Sequence, residues 1–208
     1  MAVYTQIENE ELVAFLATYD IGEIRSLKGI AEGIENSNYL LHMSSGDYIL
    51  TLYEKRVREE DLPFFIGLKQ HLVARGVPCP LPVADRQGRT LRHLAGRPAA
   101  IVTFLEGMSV RRPAPVQCTE LGRAMARMHL AAADFPLSRA NNLALPGWEK
   151  LFEQIRQMAD DFKDGLAGEL AVELAFLQRN WPDNIPSGII HADLFPDNVF
   201  FLGKRLAG

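Results

Sequence analysis

The sequence predicts an α+β fold: an antiparallel sheet crossed by one helix comes first, and a mostly helical half follows. Three observations carry this. Residues 23–56 alternate β-rich runs with glycine-bearing breaks. Residues 58–75 and 117–180 place apolar side chains at helical spacing. Between them, the segment FLEGMS at 104–109 marks the change of texture, where a strand meets a glycine.

In chain order, ENEELVAFLAT at 8–18 puts Leu12, Phe15 and Leu16 on one helical face, and Asp20 with Gly22 closes it. The stretch from Glu23 to Arg56 predicts at least three antiparallel strands, with SSGD at 44–47 turning between Met43 and Tyr48. Leu62, Phe65, Leu68 and Leu72 form the stripe of a helix over 58–75, which Gly76 stops. VPCPLPVADRQGR reads as a loop, 89–94 as a weak strand and PAAIVTFL at 98–105 as a buried one. Helices follow at 117–133, 147–163 and 168–180. The chain closes on SGIIHADLFPDNVFFLG, read as an apolar strand, a polar loop and a second apolar strand.

Composition narrows the function classes. The 208 residues are 48% apolar and 23% charged, as in a globular protein with a real core. A net charge of -4 and a pI near 5.8 argue against nucleic-acid binding, which needs a basic surface. Cys79 and Cys118 match no metal-ligand spacing, and buried free thiols in a reducing compartment are expected. No basic start precedes an apolar run, and no apolar stretch approaches the ~20 residues that cross a bilayer. The expectation is a cytoplasmic protein without membrane partners. His129, among Leu121, Met125 and Met128, reads as a packed residue.

The strongest signal is His191-Ala192-Asp193-Leu194-Phe195-Pro196-Asp197-Asn198. Pro196 keeps the segment from becoming helix. Asp193 and Asn198 offer the oxygen ligands that suit Mg²⁺ and phosphate chemistry. The spacing matches the phosphotransferase loop H-x-D-L-x-x-x-N, in which the aspartate accepts a hydroxyl proton and the asparagine holds a metal ion. A His-x-Asp pair in a turn can also simply bond its own backbone. Agreement at His191, Asp193, Leu194 and Asn198, at the template's spacing, favours phosphotransfer.

HADLFPDN, IVTFLEG, ELGRAMARMH and GIAEGIENSNYLL together resemble the homoserine kinases of the aminoglycoside-phosphotransferase-like type, over essentially the whole chain. The resemblance implies a bilobal protein-kinase-like fold, with a nucleotide-binding lobe over 1–106 and an incomplete helical lobe over 107–208. It implies ATP-dependent phosphorylation of the L-homoserine side-chain hydroxyl, a step toward threonine, with Mg²⁺. Asp193 becomes the base, Asn198 a metal ligand and His191 a brace for the loop, while Asp197 stays outside the chemistry. Aminoglycoside, choline and amino-sugar kinases share the loop and remain alternative acceptor classes.

The same resemblance assigns KGIAEGIENSNY at 28–39 to the cover over the ATP phosphates. Gly29 and Gly33 permit close backbone approach there, and Ser37 and Asn38 add polar groups. The hinge offers Thr103 and Leu105 to adenine. Thr51 departs from the pattern, because relatives commonly carry a lysine or arginine there. Lys28 and Lys55 are both candidates for that cation, and the residues leave the choice open. Arg139 suits the homoserine carboxylate and Asn142 its amine. SRANNLALPGW at 138–148 is equally consistent with a plain helix-entry loop.

Kinase-like transfer needs a further Mg²⁺-binding aspartate after the loop, and no residue after Asn198 is acidic. The resemblance places that aspartate, and the helices completing the second lobe, beyond Gly208. The 208-residue form is therefore expected to be inactive and poorly stable, with exposed apolar helix faces. A non-catalytic remnant that binds nucleotide is the alternative.

Overall fold

A computed structural model describes residues 5–31, 36–54 and 58–208. The chain forms two compact units, Met1–Leu137 with Gly188–Gly208 and Ser138–Ser187.

The first unit opens with α1 (Asn9–Leu16), whose Leu12, Phe15 and Leu16 are buried as their spacing requires. Beyond it the chain turns at Gly22, with φ +79°. A Cβ there would lie 2.0 Å from Ser44 Oγ, the atom that accepts the Glu23 N–H at 2.9 Å, so only glycine fits. The strands β1 (Ile24–Gly29), β2 (Asn36–Met43), β3 (Gly46–Tyr53), β4 (Arg92–Leu94) and β5 (Arg97–Thr103) form one antiparallel sheet, ordered β1-β2-β3-β5-β4.

Strand period divides this sheet into two faces. Tyr39, Leu41, Met43, Leu50, Leu52, Ala99 and Ile101 share a core with Leu12, Phe15, Leu16 and Tyr19 of the α1 region. Each such fully buried Leu or Ile contributes about 1.5–3 kcal/mol relative to exposure. The opposite face carries Asn38, Leu40, Ile49 and Thr51 of β2 and β3, and Ala100 and Val102 of β5.

A 3₁₀ turn (Glu59–Asp61) leads into α2 (Leu62–Ala74). The helix ends as its sequence predicts. Gly76 takes φ +75°, its N–H reaches Val73 O at 2.9 Å, and Val77 N–H reaches Leu72 O at 3.0 Å. Leu72 and Val77 then pack together, the apolar contact expected at such a stop. Helix α3 (Pro115–Ala131) packs against α2 through the same cluster. Sequence gave no partner for His71, yet its Nε2 meets Ala131 O at 2.9 Å and Asp134 Oδ1 at 3.1 Å, while Arg75 donates to Asp134 Oδ2 at 2.7 Å.

A second, three-stranded sheet was not foreseen: β6 (Met108–Ser109), β7 (Phe200–Leu202) and β8 (Arg205–Leu206), in that order. Gln117 ties α3 to it, accepting from Ala114 N at 2.9 Å and donating to Gly203 O at 3.1 Å.

The second unit contains α4 (Leu145–Ile155), the short α5 (Ala159–Phe162) and α6 (Leu166–Asn180). The single helix expected over 147–163 is instead split by a turn at 156–158, where Met158 N–H donates to Ile155 O at 2.8 Å, and beyond α5 Asp160 Oδ1 accepts the Ala167 N–H at 2.8 Å. Within this unit Trp148 and Trp181 meet edge to face, with centroids 5.8 Å apart.

Three other expectations are corrected. GII at 188–190 is not a strand, since β7 finds its partners in β6 and β8, and Ile189 packs instead into the α2–α3 cluster. Cys118 is exposed rather than buried, and Cys79 is half-buried; both are free thiols. His129 lies on an exposed face of α3. Among the described residues, no helix is long and apolar enough to cross a membrane.

Candidate active site

The loop at 191–198 is held from both ends. Ile189 sits in the α2–α3 cluster on one side, and on the other Val199 and Phe201 are buried. Pro196 opens a 3₁₀ turn over Pro196–Asn198, closed by Asn198 N–H to Phe195 O at 2.9 Å. Ala192 adopts φ +64°, a left-handed conformation that costs a residue with a Cβ about 1–2 kcal/mol. Asn198 Nδ2 donates to Asp193 O at 2.9 Å and to Asp193 Oδ2 at 3.0 Å. His191, Asp193, Asp197 and Asn198 are all solvent-exposed. The two residues expected to carry the chemistry are therefore in direct contact.

The hinge reaches this loop through the second sheet. Past β5 the chain runs through Phe104–Gly107 into β6, where Met108 pairs Phe201 and Ser109 pairs Phe200. β6 lies against the Pro196–Asn198 turn. Gly107 has φ +145°, and a Cβ there would sit 3.3 Å from Phe200 Cβ, Ala207 Cβ and Phe201 O, so the hinge passes close to the strand that follows the loop. Thr103 is occupied with the 81 position: its N–H donates to Leu81 O and its Oγ1 accepts Leu81 N–H, both at 2.9 Å. Among the described residues, no backbone hydrogen bond engages Leu105 or Glu106, which leaves their polar groups available to a ligand edge.

The predicted phosphate cover divides. Gly29 ends β1, and Ile30 N–H continues the pairing to Asn38 O at 2.9 Å. Gly33 and Lys55 lie outside the described residues. Ser37 and Asn38 are on opposite faces of β2. Ser37 is fully buried on the α1 side and donates to Glu54 Oε1 at 2.8 Å. Asn38 is on the other face and accepts the Thr51 hydroxyl on Oδ1 at 2.8 Å. Glu54 also accepts from Thr5 Oγ1 at 2.7 Å and meets Arg97 Nε at 3.2 Å. Arg139 and Asn142 lie in the second unit, both exposed. A Cβ on Gly147 would fall 1.9 Å from Asn142 O, so this glycine admits the tight entry into α4.

Ionisation is displaced most at Asp85, Tyr19 and Tyr53. Burial raises Asp85, but hydrogen bonds from the Arg89 backbone and side chain, from Arg92 and from the Gln87 backbone hold its carboxyl well below the usual range. Burial pushes the Tyr19 and Tyr53 phenols up to about 12. It also lowers the Lys69 ammonium and raises the neighbouring Cys79 thiol, whose Sγ lies 3.7 Å from Lys69 O.

Comparison with known proteins decides the family. A profile described as the phosphotransferase enzyme family matches residues 26–208. The chain belongs to that family.

It is 62% identical over all 208 residues to the homoserine kinase of Parvibaculum lavamentivorans and 59% identical to that of Mesorhizobium japonicum. The chain spans about 65% of the length of these curated relatives. Among solved structures, the spectinomycin phosphotransferase complexed with ADP and spectinomycin superposes with a TM-score of 0.67 at 14% identity. That match covers 94% of this chain and 65% of the other. An aminoglycoside phosphotransferase, APH(4)-Ia, gives 0.62 at 14%, covering 97% of this chain and 70% of its own. At such identity these structures establish the phosphotransferase fold alone, which agrees with the predicted α+β class.

With Nδ2 committed to Asp193, the Asn198 side chain keeps Oδ1 as an oxygen donor. That suits one contact to Mg²⁺, an ion that completes its shell from water and substrate phosphates. Among the described residues, no group of three His, Cys, Asp or Glu side chains assembles a metal cage. Sequence reasoning missed the β6–β7 pairing and the Asn38–Thr51 contact. The second was within reach, because period-two register alone puts those two residues on one face.

Proposed function

We propose that this chain carries the nucleotide-binding sheet and the catalytic loop of an ATP-dependent homoserine kinase. The observation that carries the reading is the Asp193–Asn198 contact, set in HADLFPDN within a chain 59–62% identical to homoserine kinases along its whole length. The homoserine hydroxyl oxygen attacks the γ-phosphorus and its proton passes to Asp193 Oδ. The bond from the γ-phosphorus to the bridging oxygen breaks, and ADP leaves with that electron pair. Asn198 Oδ1 would hold Mg²⁺, which would supply neutralisation of charge on the phosphate oxygens. His191 braces the loop.

Leu105 and Thr103 flank adenine at the hinge, while Gly29, Gly33 and Asn38 approach the phosphates. Ser37, turned into the core, acts by holding the start of β2. Arg139 receives the acceptor's carboxylate and Asn142 its amine. The lobe boundary falls at 106/107, inside the first compact unit.

The test joins this chain to the remaining third of the Parvibaculum lavamentivorans enzyme and follows ADP release with homoserine, choline and kanamycin. Homoserine alone is expected to support turnover. ADP release driven by choline or kanamycin, with none from homoserine, sinks the assignment.

A further inference from the structure

The register of the first three strands gathers three polar residues on the sheet face turned away from α1. Lys28 pairs with Leu40, and Leu40 with Ile49. Asn38 pairs with Thr51. Directly paired residues point to the same side, and residues two apart along a strand do as well. Leu27 packs into the core beneath α1, which places its neighbour Lys28 on the other side. Arg25 sits at the bulge between Ile24 and Ser26, and Lys28 is the β1 cation nearer in register to Asn38. It is exposed and, among the described residues, forms no ion pair.

The resemblance sets Thr51 at the third-strand position from which kinases extend a lysine to the phosphates. Here its hydroxyl donates to Asn38 Oδ1 at 2.8 Å, which fixes the amide so that Nδ2 and its two protons remain for another partner. Lys28 stands two residues from Asn38 along the β2 register, roughly 7 Å. A four-carbon stem covers that distance.

We infer that Lys28 and the Asn38 amide, oriented by Thr51, form the phosphate-binding pair of the nucleotide site, dividing between two strands what a single third-strand lysine does in other kinases. Lys28 provides the charge and Asn38 a fixed neutral donor. Thr51 is a positioning residue that touches no ligand. The inference rests on the nucleotide site proposed above, and the experiment separates the two.

ATP and adenosine, each with Mg²⁺ in solution, are titrated calorimetrically into the 208-residue chain and its variants. Lys28→Met is expected to weaken ATP about tenfold or more and to leave adenosine unchanged, because only the phosphates lose a charged partner. Lys28→Arg retains ATP affinity, and Thr51→Val weakens ATP alone. The double variant Lys28→Met with Thr51→Lys recovers ATP binding by restoring a third-strand cation. Unchanged melting curves confirm folding, as expected for an exposed Lys28. Wild-type binding of both ligands with an unaffected Lys28→Met overturns the inference and leaves the nucleotide site standing. A wild-type chain that binds neither ligand overturns both.

Discussion

One nitrogen of Asn198 holds Asp193 twice, at the main-chain oxygen and at carboxylate Oδ2. Under the proposed roles Asn198 would both hold the metal and aim the base, coupling the two functions through a single amide. Asp193 itself is exposed and takes no part in the core. Asp193→Asn in a complete enzyme should therefore melt like the wild type and lose turnover by ~10²–10⁴. Undiminished phosphorylation would remove Asp193 from the chemistry.

Ala192 supplies the other half of the aim through its left-handed backbone. Ala192→Gly relieves the Cβ conflict and should raise stability by about 1 kcal/mol, read from urea midpoints. Ala192→Val adds a branched Cβ at the same φ and should lose both stability and turnover. A valine variant as stable as the wild type would show that the loop does not need this conformation.

These two residues also show how far the sequence reached. HADLFPDN was legible because its polar residues and Pro196 follow a fixed spacing, and α1, α2 and β1–β3 were legible because local period exposes a buried face. Pairing between Met108 and Phe201 was not, since two residues carry no periodicity and their partner lies far along the chain. Ile190 illustrates the opposite error. An apolar triplet looks like a strand, but this one joins neither sheet and Ile190 is 59% exposed. His42, His71 and His93 had no visible partners because Asp47, Asp134 and Glu59 reach them through hairpin, helix and cross-element contacts.

Asp85 makes stability depend on acid. Its buried carboxylate accepts from Gln87 N and Arg89 N, from the Arg89 guanidinium and from Arg92. A folded value below the unfolded one, about 4, means that the unfolded chain binds the proton first. The contribution is thus complete above about pH 4 and is lost as pH falls from there toward the folded value. Asp85→Asn should lower the urea midpoint near neutral pH, and the gap to wild type should narrow as acid is added. A gap that stays constant into acid would exclude the ionised carboxylate as its source.

Tyr19 presents a smaller conflict inside the same core. Its ring is buried against Phe15, with centroids 5.3 Å apart, while among the described residues its hydroxyl has no hydrogen-bond partner. An unpaired buried hydroxyl forfeits its hydration without return. Tyr19→Phe keeps the ring and should stabilise the chain by about 1 kcal/mol in chemical denaturation. A clear loss of stability would reveal that the hydroxyl is satisfied after all.

The helical unit carries an apolar stripe that is exposed apart from the contact of Trp148 with Trp181. Trp148, Leu151, Ile155 and Met158 recur at helical spacing along α4 and just past its end, all exposed, and Phe162 beyond them is 93% exposed. The buried side of α4 is instead Leu145 and Phe152, so the stripe is a second face and not the unit's core. Contiguous exposed apolar surface of this kind drives association. Leu151→Glu with Ile155→Lys should reduce self-association of the 208-residue chain in sedimentation velocity. Each change should move its unfolding free energy by no more than about 0.5 kcal/mol, as for surface sites. Should the double variant unfold instead, these side chains are part of a packed interior.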